Sequence, residues 1–232
     1  MYAARLGLLL LPAKMTSADR AKHGRQGTSK DLDRVHSLRF AANWQHLLSP
    51  LSAVGTVAWI VLFRGDGTTE RALFAALLVI YFIHQIEEHL WPGGFRQFTD
   101  AHLFHSGDDN WPVNIDGVAL VAFVWLPIAI AAIFPQTLRW VGLAWIGLTL
   151  INGIIHIVTT IRLRLYNAGL VTSIVLLLPF TIYTLALGAE RGTLSGGEIG
   201  LILLCGVLLH LPVAGLFVIP FLFQGRRHAT AR

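Results

Sequence analysis

The chain has 232 residues, 54% of them apolar and 13% charged, and a formal net charge of +5. A soluble domain carries about 25% charged residues, and here long stretches carry none, which excludes a soluble or secreted globular domain. The basic excess lies in tails and short connections, where membrane topology accounts for it without nucleic acid, and the single cysteine, Cys205, excludes an internal disulfide and a cysteine-rich metal site.

Residues 1–45 are polar and basic and read as a disordered cytoplasmic tail. The opening segment through Lys14 has too short an apolar centre for a good signal peptide, and Met15 is a second candidate start. Six apolar segments follow, over 46–63, 72–90, 115–134, 140–161, 168–188 and 198–224. Each is long enough to cross a hydrocarbon core about 30 Å thick at 1.5 Å per residue. Backbone groups in lipid must be satisfied within the segment, so each is expected to be helical. The expected fold is an all-α, polytopic transmembrane bundle of about six spans over 46–224, with a short cytoplasmic tail at 225–232. The one long connection, 91–114, is flanked by two Trp-Pro pairs, as suits helix ends at a membrane interface.

Orientation follows from Lys and Arg. With the N-terminus in the cytoplasm, fourteen of the eighteen basic residues fall on that side. Arg64, Arg71, Arg139 and Arg191 fall opposite, so both termini are expected inside.

Two apolar segments carry polar residues that lipid does not welcome. The second ends in Tyr81, His84, Glu87, Glu88 and His89. On a helix His84 and Glu88 stand about 40° apart and Glu87 about 60° to the other side, while His89 points about 140° away from His84. A His/Glu pair at this spacing is a metal clamp or an acid/base pair. Helix ending in water is the plainer explanation, and it suits Glu88 and His89 better than His84. The fourth segment carries Asn152 and His156 at i, i+4, with Thr149, Thr159 and Thr160 on the same side. Interhelical hydrogen bonding is the plainer explanation there. Both clusters lie within about 10 Å of the cytoplasmic ends of their segments, and this matched depth points to one convergent site of His84, Glu87, Glu88, Asn152 and His156. His210 reads as a packing histidine, and His102, His105, Asp108 and Asp109 as solvated loop residues.

The string HQIEE at 84–88, WPGGF at 91–95, the Asn152–His156 pair and YNAGLVT at 166–172 together resemble a bacterial membrane family named for its HXXEE motif. The resemblance covers about 45–220. It implies a bacterial inner-membrane location and a site made of the motif with downstream Asn and His, and it implies no particular reaction.

The residues suggest three functions. The first is a membrane-embedded enzyme acting on a lipid or isoprenoid-like substrate. Its catalytic residues would be His84, Glu87, Glu88, Asn152 and His156, either as acid/base groups or with a divalent metal on His84, Glu87, Glu88 and His156. The second is a small proton-coupled transporter or channel, disfavoured because the polar residues gather at one leaflet rather than crossing the midplane. The third is a non-catalytic assembly protein. The lipid bilayer is the expected partner in all three.

Overall fold

A computed structural model describes residues 44–99, 101–102 and 120–229, with side chains of the last helix described as far as residue 212. The tail expected over 1–45, apart from its last two residues, lies outside this range. So do the long connection beyond His102 and the start of the third segment.

The regular elements among the described residues are all helices, with no strand among them. The described residues form seven helices: α1 (Trp44–Leu62), α2 (Glu70–His89), the short α3 (Phe95–Thr99), α4 (Val121–Ile133), α5 (Arg139–Leu163), α6 (Leu170–Glu190) and α7 (Gly196–Ala229). Four of them, α1, α2, α5 and α6, are long and apolar enough to cross a membrane. Helix ends follow local chemistry. The Thr69 side chain caps α2 by accepting from Ala72 N at 3.4 Å, and α5 stops where Arg164 turns left-handed, φ 55°.

α2 packs between α1 and α4, α5 packs against α4, α6 and α7, and α2 also meets the start of α6. The core between them holds Phe74, Leu77, Ile128, Ile146 and Ile202. The α5–α7 crossing is set by glycine: a Cβ on Gly147 would collide with the Ile202 carbonyl, and one on Gly206 with the Gly147 backbone. Close approach of small residues is how helices gain contact where lipid removes the hydrophobic drive.

Two helices contain a π-helical turn, Val121–Trp125 in α4 and Ser173–Leu177 in α6, and a proline follows each, Pro127 and Pro179. Proline has no N–H to give the carbonyl four residues back and crowds it. The carbonyl so released in α4, that of Phe123, accepts instead from Trp145 Nε1 of α5 at 2.9 Å. Most hydroxyls in the bundle are satisfied by their own helix: Thr149 donates to Trp145 O and Thr181 to Leu177 O. Thr149 is therefore a self-satisfied core residue.

Candidate functional site

The last turns of α2 and the middle of α5 meet at the start of α6. His84, Glu88 and His156 are 0%, 4% and 1% exposed. Glu88 Oε1 lies 3.1 Å from His156 Nε2 and 3.4 Å from His84 Nε2, and one ligand atom from each of the three residues falls within 4.8 Å of the others. Asn152 Nδ2 lies 3.1 Å from His84 Nε2. Gln85 donates to Glu88 Oε2, so both oxygens of this carboxylate are engaged. Two helices that share no sequence neighbourhood thus bring four of the five expected residues into one contact network.

Glu87 belongs to the same assembly in a different capacity. Its carboxylate accepts from Tyr166 OH, from Val171 N at 2.9 Å, and from both the amide, at 2.7 Å, and the hydroxyl of Thr172. Val171 N and Thr172 N are first-turn amides of α6, which have no partner within their own helix. Glu87 therefore caps α6 from α2, its negative charge at the positive end of the helix dipole. Burial first, and then Glu87, hold the Tyr166 phenol above its ordinary pKa, so it remains a proton donor.

Thr172 links this cap to His84. Its hydroxyl carries one proton, and Glu87 Oε2 and Gly169 O can only accept it. The 2.7 Å contact between His84 Nδ1 and Thr172 Oγ1 must then be donated by the imidazole. Neutral His84 is thereby fixed with its proton on Nδ1 and its Nε2 lone pair facing Asn152 and Glu88, the arrangement in which an imidazole serves as a ligand or base.

Gly169 closes the site from above. Its φ is +103°, and a Cβ there would stand 2.8 Å from both His84 Cε1 and His156 Nδ1. His156 Nδ1 and Asn167 Oδ1 are buried without a hydrogen-bond partner.

The other sequence candidates fall outside the three-residue cluster. His89 packs its ring 5.0 Å from that of Trp44, and its Nε2 stays 3.9 Å from Glu88 Oε2. His210 donates within its own helix, from Nδ1 to Gly206 O at 2.7 Å. Of the loop residues only His102 is described, and its ring lies against Phe98. Tyr166, Gly169 and Thr172 were not among the sequence-derived site residues, although they lie in the YNAGLVT string.

An all-helical protein with four helices of membrane-crossing length and a buried His/Glu/His cluster at their junction is the class this architecture defines. Within it, residues 75–184 match the family described as protein of unknown function with HXXEE motif. The match runs from α2 to α6 and contains every site residue named above, with His84, Glu87 and Glu88 as the motif letters. No curated protein and no solved structure matches the chain.

Proposed function

We propose that this protein is a membrane-embedded enzyme acting on a lipid or isoprenoid-like substrate at a divalent-metal centre made by His84, Glu88 and His156. The observation that carries the reading is the donor geometry. Three ligands about 2.0–2.2 Å from a tetrahedral ion stand about 3.3 Å from one another; two of the three pairs here, the Glu88–His contacts, are 3.1 and 3.4 Å, and all three donor atoms lie within 4.8 Å of one another. Two imidazoles and one carboxylate with a further position open are a donor set of catalytic zinc sites. A bound ion would supply Lewis-acid polarisation of a substrate oxygen or activation of water.

The chain supplies the rest. The Thr172 contact turns the His84 lone pair inward, and Gln85 holds the outer oxygen of Glu88. Asn152 is half-buried beside His84 Nε2, placed to donate a hydrogen bond to a substrate oxygen held there. Beside the site, Ile154, Ile155 and Val158 of α5 and Val171 and Ile174 of α6 are exposed apolar residues, a surface by which an apolar substrate would arrive from lipid. We place the six apolar segments as six spans of a bacterial inner membrane, with both termini and the site toward the cytoplasm, on the distribution of Lys and Arg.

The test is a comparison of membrane lipids from cells expressing the parent protein and the Glu88→Gln variant at equal levels. The parent is expected to deplete one lipid class and raise another, and Glu88→Gln to abolish the change. Identical lipid profiles for parent, variant and empty vector would remove the enzyme reading.

A further inference from the structure

At the opposite end of the same helices a cavity of about 540 Å³ opens between the ends of α1, α2, α5 and α6. Arg71 of α2, Arg139 of α5 and Arg191 just beyond α6 line it, together with Glu70 and Asp66, above a floor that includes Phe74 and Leu143. From Arg71 to His84 is about 20 Å along α2, so this is a second site. It does not rest on the His/Glu reading.

Four basic residues stand at this end of the bundle, Arg64, Arg71, Arg139 and Arg191, and three of the four line one cavity. The three come from separate elements and are individually anchored. Arg191 donates to Thr68 O at 2.9 Å and to Thr68 Oγ1 at 2.8 Å. Arg139 pairs with Glu70 and donates to Thr193 O at 2.7 Å. Arg71 donates to Ile133 O at 3.3 Å. A guanidinium has five N–H donors, and these bonds engage one or two on each, fixing the forks without exhausting them. With Glu70 and Asp66 counted, the lining carries one net positive charge. One excess positive charge, fork-shaped donors and an apolar floor suit a phosphodiester with hydrocarbon attached. Asp66 at the same rim suits an ammonium group beside it.

We propose that this cavity binds the phosphodiester headgroup of a membrane glycerophospholipid, its acyl chains lying along the apolar floor. The measurement is native mass spectrometry of the full chain in detergent, titrated with phosphatidylethanolamine, phosphatidylglycerol, diacylglycerol and inorganic phosphate. The two phospholipids are expected to be retained and diacylglycerol is not. Arg71→Gln and Arg191→Gln should each weaken retention about tenfold, the scale of one lost charge-assisted contact, while Arg64→Gln, outside the cavity, should leave it unchanged. Equal retention of diacylglycerol would overturn the proposal whether or not the variants fold. Arg64→Gln matching Arg71→Gln would reduce the effect to general surface charge and overturn it too. Displacement of phospholipid by equimolar inorganic phosphate would assign the cavity to free phosphate and overturn the lipid.

Discussion

At one end of α2 and α5, His84, Glu88 and His156 are buried against one another, and at the other, Arg71, Arg139 and Arg191 rim an open cavity. The first end answers each ionisable group with another side chain or an α6 amide, because an unanswered buried charge costs several kcal/mol. The second end ties its arginines to backbone carbonyls and the Glu70 carboxylate and leaves the remaining donors facing the cavity or solvent. The same two helices thus carry a closed cluster of mutually bonded side chains at one end and an open, arginine-rimmed cavity at the other. Closed sites suit chemistry and open ones suit recognition.

Gly169→Ala is expected to disturb the closed end most. The new Cβ meets both imidazoles, and the left-handed backbone disfavours it besides, so a loss of about 3 kcal/mol or more is expected, read as a fall in melting temperature. Glu87→Gln comes next. A carboxylate with four donors becomes an amide that must turn its NH₂ toward some of them, for about 1–3 kcal/mol. Glu88→Gln should behave oppositely when a chelator is present, melting at or above the parent temperature, because it removes a buried charge without removing a helix cap. Equal losses from the two would erase the division of labour between the adjacent carboxylates. Thr172→Val should keep the fold but weaken metal affinity about 10–100-fold, the usual scale for a residue that orients a ligand histidine. Thr172→Ser should restore it, and a valine variant that binds metal like the parent would remove the relay to His84. Least affected is the open end, where Arg71→Gln should shift stability by no more than about 0.5 kcal/mol.

Much of this was legible in the sequence. The apolar segments that became α1, α2, α5 and α6 agree with the helices to within about two residues, because uninterrupted hydrophobicity over a fixed length is a one-dimensional property. The meeting of His156 with His84 and Glu88 was legible too, since helical rise converts sequence position to depth. The duty of Glu87 was not. Helical spacing puts it on the same face as Glu88, and only the arrival of α6 decides which carboxylate meets an imidazole and which meets amides. Gly169 and Thr172 were hidden for a similar reason: their parts depend on a left-handed turn and on a contact across 88 residues. The arginine cavity joins Thr68 to Arg191 across 123 residues, a pairing no local pattern encodes.

His84, Glu88 and His156 are expected to hold one divalent metal ion. Metal analysis of the purified full-length protein, with X-ray absorption on the metal found, tests it most directly. The expected result is about one ion per chain, bound by nitrogen and oxygen donors at about 2.0–2.2 Å, and lost in Glu88→Gln and His156→Ala. Protein that is metal-free, takes up no zinc, cobalt, manganese or iron, and changes membrane lipids equally well with a chelator present would contradict it and leave the same three residues as an acid/base site.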